Sequence, residues 1–426
     1  ERLQARQAQE QQTHAPNPSR REEALRGSKE KPQTAITITS EERDTLAAQA
    51  DQPIIQAANS FGLRLHQQLL KESPGQNVFL SPLSITTAMA MVYNGSGGET
   101  KNELERVLGW NNKSVDQINA GYRELLQLLS QPGEGISLQL SDSVWHNAQV
   151  TINSKFASII RESYHAEIDS IDTSKPEKSA EQINHWIEDH TEGMIDKLIE
   201  PQSIDSNLVL ILLNAIYFNG TWKDKFDVSL TKDQSFYLTD GSDVKIPFMN
   251  RTGRYSYVKN NDYEAIRIPY GTGQMSMIIL LPSASSSLEA LQEQLWNGKI
   301  DLLEQWKQSY GSIQLPKFSI GYSATLNDSL QALGMKQSFS DTADFSGLSN
   351  ESNVRISEIK HKSKIDISEE GTKAAAVTSI ETTTTSAEAP REPFDMKVDR
   401  PFFLAIVDEQ SSAVLFTGSI YNPAAD

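Results

Sequence analysis

Apolar positions recur at helical spacing early in the chain and gather into short runs later. From about Pro53, Ile54, Ile55, Phe61, Leu63, Leu65, Leu69 and Leu70 predict a helix that ends at a turn, Ser73-Pro74-Gly75. Residues 85–92 predict a second helix, stopped by the Asn94-Gly95-Ser96-Gly97-Gly98 run, and residues 99–108 a third, closed by Gly109. Residues 209–218, 275–281, 313–320 and 402–407 are apolar runs too short for buried helices. Flanked by Asn, Gly and Pro, they predict strands. Helical stretches at 180–199 and 288–296 fall between them. With no regular βαβ period and no internal repeat, the pattern predicts a single large α+β domain.

The pattern starts late. Residues 1–60 contain no Phe, Trp, Tyr or Met, and such a stretch buries too little apolar surface to offset its ordering entropy. The first fifty residues hold eight basic and eight acidic side chains, so the segment is no basic arm. Residues 1–52 are therefore read as a disordered polar tail or tether, and residues 53–426 as the folded domain.

Composition removes several classes of function. Across 426 residues there is no cysteine, which excludes disulfide frameworks, thiol nucleophiles and Cys-ligated metals. With 39 Lys+Arg against 56 Asp+Glu the net charge is -17, which disfavours nucleic acid and anionic membranes as partners. The longest apolar run, residues 208–213 between Asn207 and Asn214, falls far short of the roughly 18 residues of a membrane span.

Four local motifs suggest chemistry. His185 and His190 lie near Glu188 and Asp189, but an i, i+5 spacing puts them about 140° apart on a helix, so ordinary helix surface is expected rather than a metal site. Residues 94–98 are glycine-rich but lack the Gly-Lys-Ser/Thr ending of a phosphate loop, and they fit a helix–helix turn. Ser357 and Lys360 match a Ser-x-x-Lys nucleophile motif. The surrounding Val354, Ile356, Ile359, Ile365 and Ile367 predict a strand, where residues three apart face opposite ways. The fourth is Glu369-Glu370-Gly371-Thr372-Lys373-Ala374-Ala375-Ala376-Val377-Thr378. Read as a strand, it puts Thr372, Ala374, Ala376, Thr378, Ile380 and Thr382 on one uncharged face; read on composition alone, it is a protease-sensitive Ala/Thr loop.

From about residue 53 onward several stretches match the signatures of one known family. Asn77-Val78-Phe79-Leu80-Ser81-Pro82-Leu83-Ser84-Ile85 is similar to an early family signature, and Asn184-His185-Trp186 with Thr191 and Gly193 to a middle helix. The run from Asn214 to Trp222, ending at Phe226, is similar to a central strand and turn, and His361-Lys362-Ser363 to the strand before the reactive loop. Arg400-Pro401-Phe402, Phe416-Thr417-Gly418 and Asn422-Pro423 resemble the C-terminal signature. On these residues the chain resembles the serpin family, and the resemblance implies about nine helices and three β-sheets, an exposed reactive-centre loop and a metastable fold. It implies a suicide substrate rather than an enzyme: a target protease cuts the loop, and the hinge, Glu369 to Thr378, enters the central sheet before the acyl-enzyme is hydrolysed. Proline or charge on the inserting face would obstruct that step, and neither is present.

By the same resemblance, Ser81, Ser84, Asn214 and His361 form the shutter beneath the central sheet, and Trp222 marks the breach where insertion begins. Seventeen residues counted from Glu369 put the reactive bond at Thr385-Ser386, which suggests an elastase-like or subtilisin-like target. Cleavage at Arg391, the alternative, would add roughly 20 Å of slack at about 3.3 Å per residue. The resemblance further implies a monomer liable to loop–sheet polymers. The absence of cysteine and the polar tail suit an extracellular or cell-surface location, and no cofactor is expected, no basic cluster standing out along the chain. The other function to consider is that of a non-inhibitory carrier or chaperone.

Overall fold

Side chains cap the starts of the first helices. The computed structural model describes residues 38–371 and 392–425. Thr39 opens α1 (Ser40–Gln49): its hydroxyl accepts from the Glu42 N–H at 3.2 Å while the Glu42 carboxylate accepts from the Thr39 N–H at 2.7 Å. Asp51 caps α2 (Gln52–Glu72), with Pro53 in its first turn. After the short strand β1 (Val78–Leu80), Ser81 caps α3 (Pro82–Tyr93) by accepting from the Ser84 N–H at 3.2 Å. Next come α4 (Gly98–Leu108), which Gly109 closes at φ 74°, and α5 (Val115–Leu129).

The remaining order is β2 (Ile136–Asn147), α6 (Ser154–Tyr164), β3 (Glu167–Ile171), α7 (Pro176–His190), β4 (Leu210–Gly220), β5 (Lys232–Tyr237), β6 (Asp243–Lys259), β7 (Tyr263–Tyr270) and β8 (Met275–Pro282). Then follow α8 (Leu288–Trp296), β9 (Gln308–Pro316), β10 (Phe318–Thr325), α9 (Asn327–Ala332), β11 (Glu358–Ile367), β12 (Phe394–Lys397), β13 (Phe402–Asp408) and β14 (Val414–Ile420).

Five strands form the central sheet in the order β10-β11-β4-β2-β3. β4 lies antiparallel to β2 along its whole length and parallel to β11, with Ile211–Tyr217 beside Glu358–Lys364. The other nine strands form one hydrogen-bonded network, β1-β14-β13-β8-β7-β6-β9-β12, with β5 also on β6. The seventeen-residue β6 bonds β5 and β9 over its first part and β7 over its last four residues. Two of the three expected sheets are thus fused through β6. α3 packs against β2, β4 and β14, and all twelve of its residues are buried, as befits a helix apolar almost all round. Thr86 and Thr87 satisfy their hydroxyls by donating to the Leu83 carbonyl at 3.0 and 2.8 Å.

Three boundaries differ from expectation. The apolar run 313–320 is two strands in different sheets: Pro316, which lacks an N–H, ends β9, and Lys317 donates its backbone N–H to the Pro247 carbonyl at 2.8 Å between them. The helix expected over 180–199 spans Pro176–His190, because Glu192 and Gly193 turn left-handed at φ 54° and 74°. The folded domain also begins upstream of residue 53. α1, inside the expected tail, docks through Arg43, which is 1% exposed. Its Nη1 lies 2.7 Å from the Asp408 carboxylate and its Nε donates to the Gln131 carbonyl at 2.9 Å. Gln52 and Asn59 of α2 reach the same β13–β14 turn, donating to the Ser411 and Ser412 carbonyls. Further along α2, buried His66 bonds Thr417 and Ser419 of β14, each at 2.8 Å.

Removing Arg43 strands the buried Asp408 charge. Arg43→Ala is therefore expected to lower the unfolding free energy of the full chain by about 3–5 kcal/mol in a urea titration.

Candidate functional site

Two polar assemblies sit on the β4–β11 seam, one at its middle and one at its head. The middle is a row across three strands. His361 of β11 and Asp142 of β2 are both register partners of Asn214 on β4, and the N-terminus of α3 lies against them. The Ser81 N–H donates to His361 Nε2 at 3.3 Å, so the proton sits on Nδ1 and is donated to Asn214 Oδ1. Asn214 Nδ2 donates in turn to Ser84 Oγ and Asp142 Oδ1. Ser81, Ser84, Asn214 and His361 are fully buried and Asp142 nearly so. Ser363, two residues along β11 on the same face, donates to the Phe79 carbonyl at 2.6 Å. The structure therefore brings together the four residues assigned to the shutter and adds Asp142 and Ser363.

A serine, a histidine and an aspartate meet here, but not as a hydrolytic triad. His361 accepts from a backbone N–H rather than a hydroxyl, Asp142 is bonded to Asn214 rather than the imidazole, and no substrate reaches the site.

At the head, the β4–β11 ladder stops at Tyr217 and Lys364. Beyond it, residues 218–220 continue in the β2 pair and 365–367 in the β10 pair. A turn then folds over the gap. Trp222 receives it: its backbone N–H donates to the Glu370 carbonyl at 2.9 Å, and its indole N–H to the Ser368 carbonyl at 2.8 Å. Its ring stacks on Tyr270 at 4.2 Å. Glu369, 4% exposed, is held by Lys317 at 2.9 Å and by the Thr231 hydroxyl at 2.8 Å. Burial alone would raise its carboxyl, but the hydrogen bonds from Lys317, its own backbone and Thr231 together hold it below the ordinary carboxylate range. Gly371 sits at φ 116°, and a Cβ there would lie 2.1 Å from the Gly220 carbonyl oxygen, so no other residue fits. Of the residues expected to form a hinge, Glu369, Glu370 and Gly371 lie in this turn. Thr372 to Thr378, the Thr385-Ser386 bond and Arg391 lie outside the described residues.

The other motifs settle into structural roles. His185 faces Asp189 at 3.4 Å, while His190 stacks on Trp186 at 4.2 Å and bonds the Trp186 carbonyl. Among the described residues, no three His, Asp or Glu side chains are grouped to hold a metal. Residues 94–97 link α3 to α4, and the Gly97 N–H donates to the Asp344 carbonyl at 2.9 Å. Ser357 Oγ accepts from the Val209 N–H at 2.9 Å, whereas Lys360 lies 3.4 Å from Glu358, so the two do not act as a pair. Among the described residues, no helix is long and apolar enough to cross a membrane.

A family model described as Serpin (serine protease inhibitor) matches residues 56–423. The chain belongs to the serpin family and has the serpin fold. It is 34% identical over 390 residues to an uncharacterized serpin-like protein of Thermococcus kodakarensis, covering 91% of this chain and 90% of that one. To the leukocyte elastase inhibitor of Bos taurus it is 32% identical over 383 residues, covering 87% and 99%. The structure of human thyroxine-binding globulin with thyroxine matches with a TM-score of 0.78 at 26% identity, over 88% of this chain and 99% of that one.

Burial pushes Asp142 up to about 7, against the lowering effect of its Asn214 hydrogen bond, and pushes His361 down to about 3. His361 therefore stays neutral at physiological pH. From about pH 4 to 7 the folded chain holds a proton on Asp142 that the unfolded chain has released, so this contribution to stability is complete below about pH 4 and is lost as pH rises to 7. Asp142→Asn removes the loss. In urea unfolding, its advantage over the parent is expected to grow by about 1.4 kcal/mol per pH unit across that window and to level above it. A pH-independent difference would contradict this assignment.

Proposed function

We propose that this serpin is a suicide-substrate inhibitor of serine proteases, with cysteine proteases as a further target class. The observation that carries the reading is the seam itself. β4 and β11 are joined in parallel, their ladder stops short of the head, and Gly371 turns the chain back at that point. A strand entering from Gly371 would run antiparallel to both neighbours and would replace one parallel ladder by two antiparallel ones, the more stable pairing per residue. The alternation of Thr372, Ala374, Ala376 and Thr378 supports this, because the face that would slide over the core is small and uncharged.

On this reading a protease attacks Thr385-Ser386, and insertion outruns hydrolysis of the acyl-enzyme. Thr385 is small and uncharged, which favours elastase-like or subtilisin-like enzymes, and the likeness to a leukocyte elastase inhibitor adds weight to the first. Arg391 is read as a substrate site only. A monomer with a tendency to loop–sheet polymers follows from the same open seam. An extracellular or cell-surface setting suits the polar composition of the N-terminal segment, which could serve as a tether. The second reading is a non-inhibitory carrier or chaperone, favoured by the likeness to thyroxine-binding globulin.

The deciding experiment incubates the full chain with elastase-like, subtilisin-like and trypsin-like proteases. An SDS-resistant complex and a released peptide beginning at Ser386 are expected. Clean cleavage without a complex for every enzyme, and no gain in melting temperature after the loop is nicked, would favour the carrier. The shutter should set the lifetime of the active state. His361→Ala leaves the buried Ser81 N–H and Asn214 Oδ1 without partners at a cost of about 1–3 kcal/mol. It is expected to shorten the inhibitory half-life on warming and to promote polymers; an unchanged half-life would count against the shutter role.

A further inference from the structure

Basic residues are scattered along the sequence, yet the fold gathers three of them around one cavity. This cavity, of about 310 Å³, lies beside the segment that follows Trp222. Lys223 comes from that segment, Arg254 from β6 and Arg267 from β7; Glu409, just after β13, is the one acid among the lining residues. Three cations against one anion leave the lining at +2, in a chain of net charge -17.

The cations differ in role. Arg267 is fixed: Nη1 pairs with Glu409 at 2.8 Å, Nη2 donates to the Leu302 and Glu304 carbonyls at 3.0 and 2.8 Å, and the guanidinium lies 5.7 Å over the Trp306 ring. Although Arg267 is only 4% exposed, its Nε has no hydrogen-bond partner. Glu409 is occupied on its other side by Gln305 at 3.2 Å. Lys223 and Arg254 are exposed and make no ion pair among the described residues. A preorganised guanidinium that lines the cavity together with two uncommitted long cations calls for a ligand with several acceptor lone pairs and negative charge.

We propose that this cavity binds a phosphate or sulfate group, either as the free ion or carried on a molecule of monosaccharide size. The volume is at the small end of the roughly 300–1,000 Å³ typical of ligand pockets, which fits such a ligand and leaves no room to enclose a polymer. Tyr255 and Pro269 supply a wall against which an organic body packs. The Lys223 N–H donates to the Pro269 carbonyl at 2.9 Å, immediately beyond Trp222, so a ligand joining Lys223 to Arg254 and Arg267 fastens the head of the seam to β6 and β7. The binding does not depend on whether the chain traps a protease.

The test uses the full chain, titrated by calorimetry and thermal unfolding with inorganic phosphate, inorganic sulfate and glucose 6-phosphate, at ionic strength held constant with chloride. Saturable binding is expected, with a melting temperature that rises with ligand concentration. The double variant Lys223→Ala/Arg254→Ala changes two exposed side chains, so it is expected to fold normally and bind at least about tenfold more weakly. Tighter binding of the sugar phosphate would identify an organic ligand and equal affinities the free ion, and both support the site. Stabilisation no greater than that from chloride alone, or full affinity in the double variant, would overturn it.

Discussion

The whole structure turns on the parallel contact between β4 and β11. It joins residues almost 150 positions apart, and it is held at three heights by different means. At the base, Ser357 Oγ accepts from the Val209 N–H. In the middle, Asn214 passes hydrogen bonds between His361, Ser84 and Asp142. At the head, the ladder gives way to the Trp222 indole and backbone, which grip the Ser368–Gly371 turn. The seam is thus firmest where side chains bridge it and weakest where only a turn covers it. α3 underlies the middle, so its complete burial fixes Ser84 and the capping Ser81 relative to β14 as well as to the central sheet.

The middle assembly couples a neutral imidazole to a carboxyl through one amide. Because Asn214 both accepts and donates, each neighbour's position constrains the other, and any parting of β4 from β11 breaks the His361 bond first while the Asp142 bond stays within the β2–β4 pair. The network therefore has an asymmetric line of failure along the seam. That asymmetry is what a sheet needs if it is to open in one place and stay closed elsewhere.

Where the periodicity was strong, the elements were legible. α2, α3, α4 and β13 follow directly from apolar spacing and from Gly109 and Pro53. α1 was not, because it docks through Arg43 with only Ala47 and Leu46 as apolar contacts, too few to show a periodicity; the Thr39–Glu42 capping box was the signal to weigh. Residues 313–320 read as one strand since their apolar character runs through a change of sheet, which Pro316 alone betrays. Ser81, Ser84, Asn214 and His361 were found through family resemblance and not through spacing, since four polar residues so far apart have no pattern. Asp142 carried no signal, since a lone carboxylate among the polar residues of β2 gives no hint that it is buried. The cavity cations could not be seen at all: Arg254 and Arg267 meet because β6 and β7 pair, and Lys223 joins them because its N–H bonds the Pro269 carbonyl of β7.

The clasp between the two ends of the domain bears on how the chain is made. β1 pairs with β14, from Val78 beside Ser419, while Arg43 needs Asp408 and His66 needs Thr417 and Ser419. Each of these partners is made more than 340 residues after the group that needs it. At about 5–20 residues per second, the 341 positions from 78 to 419 take roughly 20–70 s to elongate. Throughout that interval α3, apolar on nearly every side, waits on the ribosome without β14 to cover it. The amino-terminal half therefore cannot complete its packing by itself: α3 is fully covered only once β14 has emerged.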